Sequence, residues 1–366
     1  MSLALDLWQA GVGAVGGSTS VSAVLATGQI ARPDHILAVG KAAGAMTQAA
    51  LTYFPNVPAL VVTKDGHGDG LPVGVTLIEA AHPVPDARSL AGGSALQDAI
   101  AATTTGTRLL VLVSGGASSL AEKLRPGKTL DDLAQLNRRL LSSGRDITEM
   151  NTERRKISAI KGGGLLSGFQ GAAVDVLAIS DVPGDDIAVI GSGIGAAPDP
   201  CPFAYDCHIV ASNAHAREAA ARLAAQLGCP VHLNEQALHD DLDVLVARWG
   251  PVLRDMEPGV AILGGEPTVV LPDNPGRGGR NQALALALAR EIEGIDGIEI
   301  VVGGTDGSDG PTHAAGGIVN GTTWQDKGAE ALARADSGTF LAARDALLET
   351  GPTGTNVMDL LIAVKS

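Results

Sequence analysis

Two arginines and three glycines fill the five residues from Gly276 to Arg280, immediately before Asn281 and a long Ala/Leu run. A flexible backbone, two guanidiniums and a helix start within six residues suit an anion. The N–H groups of such a turn converge, the helix dipole favours negative charge, and arginine grips phosphate or carboxylate bidentately. This makes Gly278, Gly279, Arg280 and Asn281 candidate phosphate- or substrate-binding residues. A glycine turn with its arginines in solvent is the structural alternative. Further on, Gly303-Gly304-Thr305-Asp306-Gly307-Ser308-Asp309-Gly310 offers carboxylates on a second glycine-rich loop.

Other stretches pair chemistry with glycine. Lys41 follows the apolar run Ile36–Val39 and Gly40, where a cation opposes the dipole of the helix it would open. Ser114-Gly115-Gly116-Ala117-Ser118 follows Leu109–Val113, and hydroxyls plus unpaired N–H groups can solvate phosphate oxygens there. A plain strand–helix turn is the alternative. Asp181, Asp185 and Asp186 follow Val174–Ile179. Carboxylates at a strand's carboxyl end are common Mg²⁺ ligands in phosphoryl-transfer sites, but carboxylates also commonly cap helices, so Asp186 carries less weight than Asp181. Arg154-Arg155-Lys156 belongs to the most basic part of the chain, residues 121–170, which hold ten of the 26 lysines and arginines.

The elements that must position these residues alternate strand and helix. Short apolar runs at 36–39, 60–62, 75–78, 109–113, 174–179, 208–211, 260–263 and 298–302 read as buried strands, each feeding a glycine-rich loop or a helix. Open α/β sheets bind ligands at the carboxyl ends of their strands, which is where these loops fall. Helices are expected from Asn213 to Leu227, over 236–256 and from Asn281 onward. Alanine's helix propensity there outweighs the strand-like alternation of Leu284, Leu286 and Leu288. Asp86 and Thr129 read as helix caps, Thr129 for a helix from Leu130 to Leu141. Gly11-Val12-Gly13-Ala14-Val15-Gly16 matches a dinucleotide fingerprint formally, but Leu3, Leu7 and Ala10 before it have helical spacing and no strand feeds the turn. Gly127-Lys128-Thr129 lacks the earlier glycine of a phosphate-binding P-loop, its place being taken by Glu122.

Length and composition set the frame. At 366 residues two domains are expected, divided here at 1–235 and 236–366. Hydrophobic residues make up 45% and charged residues 18%, the balance of a folded soluble protein. With 48 glycines and only 2% aromatics, the core must be built from small aliphatics in close helix–sheet layers. The net charge of −14 excludes a broad nucleic-acid surface. Cys201, Cys207 and Cys229 lack metal-finger spacing and suit reduced thiols, and no leader or membrane-spanning run is legible. A cytoplasmic protein is expected. A homodimer is compatible with the sequence, which does not fix the oligomeric state.

Taken together, the chain resembles the glycerate 2-kinases of the bacterial and animal type, whose C-terminal half is the MOFRL domain. The resemblance is carried by Val39–Met46, His82-Pro83-Val84-Pro85-Asp86, Val113–Gly116, Lys161–Gly163, Ser180–Asp186, Gly278–Gln282, Gly304–Gly307 and Gly351–Val357, in collinear order. It implies a Rossmann-like larger N-terminal α/β domain and a second α/β domain, with the active site in an interdomain cleft. It also implies transfer of a phosphoryl group from ATP to the 2-hydroxyl of D-glycerate with a divalent metal, and it maps the functional lysine and arginine onto Lys41 and Arg280. Three departures lie near the presumed ligand loops. Lys156 replaces a usual histidine, His313 a usual aspartate, and Ser192-Gly193-Ile194-Gly195 a usual Ser-Gly-Pro-Thr.

On that basis Ser114, Gly115, Gly116 and Ser118 are expected to cradle phosphate oxygens, and Lys41 and Arg280 to neutralise the phosphoryl group or the acceptor carboxylate. Asp181 would hold Mg²⁺ or serve as base, Asp306 is the second metal candidate, and Arg154 is a candidate for the carboxylate. Alanine at Lys41 or Arg280 is expected to cut kcat/KM by orders of magnitude with folding intact. Two alternatives are an NAD(P)H-dependent hydroxypyruvate reductase, which would need the nicotinamide site that residues 11–16 do not supply, and a non-catalytic sensor of sugar acids or nucleotides.

Overall fold

A computed structural model describes residues 2–141 and 147–366 of the chain. They form two compact units. One comprises Gly16–Ser212 with Gly354–Asn356, and the other Met1–Val15, Asn213–Thr353 and Val357–Ser366.

The first unit is built on six parallel strands: β1 (His35–Val39), β2 (Ala59–Lys64), β3 (Thr76–Ala80), β4 (Arg108–Val113), β5 (Ala173–Ile179) and β6 (Ala204–Ala211). Their order, β3-β2-β1-β4-β5-β6, is that of a doubly wound α/β sheet. The central strands read as unbroken aliphatic runs because both faces are covered by helices. Leu37, Val39, Leu109, Val111, Val113, Val174 and Val176 pack with Leu96, Ile100 and Leu120 into one core. Asp86 caps the helix Ala87–Ala101 in a capping box with Ser89, and Thr129 exchanges hydrogen bonds with Asp132 at the start of Leu130–Leu141, as the sequence predicts. The helix after Ser114–Gly116 is only four residues long, Ala117–Leu120.

The second unit carries a mixed sheet of β7 (Val231–Leu238), β8 (Gly259–Gly265), β9 (Ile298–Gly304), β10 (Gly316–Asn320), β11 (Leu347–Leu348) and β12 (Asp359–Lys365), in the order β11-β10-β9-β12-β8-β7. Only β7 and β8 run parallel. The helices Leu242–Asp255 and Arg280–Glu291 cover one face, and Leu3–Ala14 and Asn213–Gln226 the other. Gly11 and Gly13 lie inside a regular helix, so residues 11–16 make no nucleotide-binding turn. Among the described residues no helix is long and apolar enough to cross a membrane, and all three cysteines are free thiols.

Two boundaries differ from the sequence reading. Position 235 falls inside β7, an edge strand whose residues His232, Asn234 and Glu235 hide it among polar positions. The helix expected over 236–256 begins only at Leu242, and the helix Asn213–Gln226 belongs with the second half because Ala220 and Ala224 pack against Val260 and Ile262.

Candidate active site

In the parallel-sheet unit the strand order reverses between β1 and β4, and their carboxyl ends open the crevice where doubly wound sheets bind ligands. Gly40-Lys41 leaves β1 there and Ser114-Gly115-Gly116 leaves β4. The two loops are bonded together. Lys41 N–H donates to the Gly115 carbonyl at 2.9 Å, and Ala42 N–H to Ser114 Oγ at 3.0 Å. Ser114 is fully buried, so its hydroxyl holds the loops together.

Gly115 and Gly116 admit no side chain. A Cβ on Gly115 would collide with Asp181 Oδ2 and Asn356 Nδ2, and Gly116 has φ +83°, the left-handed region. A Cβ on Gly116 would meet Lys41 Cγ and the His82 ring at 3.2 Å. Lys41, His82, Asp181 and Asn356 therefore converge on one Gly-Gly step. Among the described residues the N–H groups of Gly115 and Gly116 have no protein acceptor, so they stand ready for an anion. Asn356 Nδ2 donates to Asp181 Oδ2 at 3.4 Å. His67 Nδ1 lies 3.1 Å from the Lys41 carbonyl.

Ser118 and Arg154 join a buried polar network behind this loop. Ser118 Oγ is 2.8 Å from Ser192 Oγ, which donates to Asn151 Oδ1 at 2.8 Å. Ser192 has one proton, so Ser118 must donate to it and has no proton left for a phosphate. Arg154, in the last turn of the helix Ile147–Ile157, donates to Asn151 Oδ1 at 3.4 Å. Burial lowers its pKa against the pull of Glu122. Ser192 holds the left-handed φ of +59°, a strained value for a residue with a Cβ.

In the mixed-sheet unit the helix begins at Arg280, one residue before the expected Asn281, with Gly279 as N-cap. The anion at that N-terminus is the protein's own. The Asp309 carboxylate accepts from the N–H groups of Asn281 at 3.1 Å and Gln282 at 2.8 Å. Burial raises the pKa of Asp309 to about 7, against those two hydrogen bonds. Arg280 forks onto Asp359, at 2.6 and 3.1 Å, and reaches Glu266 at 2.8 Å. Burial alone would lower the Arg280 pKa, but Asp359 more than reverses that. The Asp359 side chain is 2% exposed.

Arg280→Ala would leave that buried carboxylate without its cation, so a cost in stability is expected to accompany any loss of activity. We expect the variant to lose about 3–5 kcal/mol, seen as a lower urea midpoint. An unchanged midpoint would show that the Asp359 pairing contributes nothing.

Asn281 is 1% exposed, and among the described residues neither Nδ2 nor Oδ1 of its amide has a protein partner. An amide left in that state is one that a ligand or water completes. Asp306 Oδ1 accepts from the N–H and hydroxyl of Ser308, both at 2.9 Å, which makes it a turn-former in its own loop. Among the described residues no three His, Cys, Asp or Glu side chains form a metal-ligating group. A single carboxylate such as Asp181 beside the Gly115-Gly116 step nevertheless fits Mg²⁺, which is usually shared between one or two carboxylates and substrate phosphates.

The sequence reading singled out Lys41, Gly115, Gly116 and Asp181, which the fold brings together. It assigned no role to His82 or Asn356, although both lie in stretches that carry the family resemblance. Asp309 and Asp359 were also missed as partners of the helix start, since spacing alone cannot show which carboxylate folds onto which N-terminus.

The chain matches two family models, a domain of unknown function, DUF4147, over residues 3–227 and the MOFRL family over residues 259–359. A glycerate 2-kinase of Pyrococcus horikoshii is 34% identical, aligned over 90% of this chain and 87% of the relative. A protein of Agrobacterium vitis whose name proposes a hydroxypyruvate reductase is 36% identical, over 89% of this chain and 97% of its own length. The crystal structure of the glycerate kinase of Thermotoga maritima superposes with a TM-score of 0.88 at 31% identity, covering 100% of this chain and 99% of that one. The chain belongs to the glycerate 2-kinase family that pairs a DUF4147 domain with a MOFRL domain.

Proposed function

We propose that the protein transfers the γ-phosphoryl group of ATP to the 2-hydroxyl of D-glycerate, giving 2-phosphoglycerate and ADP. The observation that carries this reading is the Gly115-Gly116 step at the switch point of a doubly wound sheet, with Lys41, Asp181 and Asn356 packed against it. Phosphoryl transfer asks a protein mainly for positioning and charge neutralisation, and this set supplies both.

In this reading the N–H groups of Gly115 and Gly116 receive phosphate oxygens, and Lys41 neutralises the charge that develops on the transferring group. Asp181 is the residue that would hold Mg²⁺. When bound, that ion would draw charge from the phosphate oxygens and fix their orientation. Ser114 and Ser118 brace the cradle. Arg280, with Gly278, Gly279 and the unpartnered amide of Asn281, serves the anionic substrate, and Arg154 is the second guanidinium available to the glycerate carboxylate. Asp306 shapes its loop and remains the weaker metal candidate. A cytoplasmic enzyme, compatible with a homodimer, completes the proposal.

The reductase reading lacks a nicotinamide-binding turn at the glycines of residues 11–16, because Gly11 and Gly13 lie inside the helix Leu3–Ala14. One assay tests both readings. Purified protein with Mg-ATP and D-glycerate should release ADP and yield 2-phosphoglycerate by NMR. Oxidation of NADH or NADPH by hydroxypyruvate, without ADP release, would replace this conclusion with the reductase.

A further inference from the structure

We propose that His82 is the general base of this reaction, the group that takes the proton of the glycerate 2-hydroxyl. The inference rests on the kinase reading above and adds a residue to it.

The placement of His82 is not what chain order would produce. It lies two residues beyond the edge strand β3, whereas Gly116 lies beyond β4, and β2 and β1 stand between those strands. The 81–86 loop must therefore cross the carboxyl edge of the sheet to bring the imidazole to the phosphate cradle. The Nε2–Cδ2 edge is the one that meets Gly116, with both atoms 3.2 Å from a Cβ built there. The loop is held where it re-enters regular structure. Asp86 caps the following helix, and Arg88 in its first turn binds Asp65, beyond β2, through two nitrogens at 2.5 and 2.9 Å. Pro83 and Pro85 restrict the intervening backbone. A histidine carried this far and left only half-buried is placed for contact with a ligand.

The charged and titratable groups around the cradle divide the remaining work. Lys41 shares the Gly116 side with His82, His67 is bound at the Lys41 carbonyl, and Asp181 lies over Gly115. A carboxylate engaged with a divalent cation is a poor proton acceptor, whereas imidazole titrates near neutrality and suits the task. In the step, His82 Nε2 takes the hydroxyl proton as the 2-oxygen forms its bond to the γ-phosphorus. The bond from that phosphorus to the β,γ-bridging oxygen breaks, and its electron pair leaves with ADP. The imidazolium then returns its proton to water.

His82→Gln tests this, since it keeps a polar group of similar reach that cannot titrate. With wild-type turnover of glycerate and ATP established, the variant should lose about 10²- to 10⁴-fold in kcat. Its KM for both substrates should stay within a few-fold of wild type. Wild-type kcat/KM for glycerate should fall on the acid side, and that fall should be absent in the variant. Near-normal kcat in His82→Gln, or a reduced kcat with the acid limb retained, would overturn the assignment. His82→Asn provides the same reading if glutamine does not fold. A wild-type kcat/KM that is flat from about pH 5.5 to 8 would overturn it without any variant. Absence of ADP release by the wild-type protein would instead remove the kinase reading itself.

Discussion

Lys41→Met should lower kcat/KM with D-glycerate and Mg-ATP by about three orders of magnitude while leaving the melting temperature within a degree or two of wild type. The separation of the two effects comes from how the residue is held. Its backbone N–H binds the Gly115 carbonyl and its carbonyl lies beside His67, and neither bond depends on the side chain. Its stem packs at Gly116 through Cγ, a contact that methionine keeps. What the substitution removes is the ammonium group, whose charge, in the proposed reaction, opposes that of the transferring phosphoryl group. Lys41→Arg should not rescue activity, because a planar fork cannot occupy the position of a compact ammonium. Parallel steady-state kinetics and thermal melts decide the matter. A Lys41→Met enzyme within about ten-fold of wild type would remove Lys41 from the reaction.

Arg280 makes the contrast. From sequence the two cations look alike, each at the start of a helix after glycine. Folding gives Lys41 a glycine cradle, and gives Arg280 a buried carboxylate, Asp359, brought from 79 residues away. Glycine turns and aliphatic runs are local signals, and they placed the strand ends, the caps at Asp86 and Thr129, and the Gly115–Gly116 loop. Partners of buried charges are non-local. Nothing in the spacing of residues 276–281 indicates that Asp309 will close the helix N-terminus. The strand β7 was illegible for a related reason, because an edge strand need not be apolar on both faces. His82 falls between these cases, being visible in its motif while its position over Gly116 depends on a loop crossing two strands.

A stability effect as large as that of Arg280→Ala is expected at a second buried ion pair. Lys161 and Glu122 meet at 2.5 Å with side chains 2% and 0% exposed. Burial lowers the Lys161 pKa, and the attraction of Glu122 opposes it. Glu122 lies just beyond the short helix Ala117–Leu120 and is fixed by its N–H to the Ser89 carbonyl. Lys161 begins a loop whose Gly162 and Gly163 N–H groups bind the carbonyls of Ser192 and Gly193. The pair therefore links the segment after the Gly115-Gly116 loop to the segment carrying Ser192. Lys161→Met should cost about 3–5 kcal/mol, because it strands a carboxylate that cannot reach water. The urea midpoint should fall with the slope unchanged. Restoring charge balance by Glu122→Gln in the same chain should recover much of that loss, since an uncharged pair of similar volume escapes the desolvation cost of both ions. If the double variant is as unstable as Lys161→Met alone, the cost lies in lost packing and the charge argument fails. If Lys161→Met retains wild-type stability, the ion pair contributes nothing to the fold and the charge argument fails.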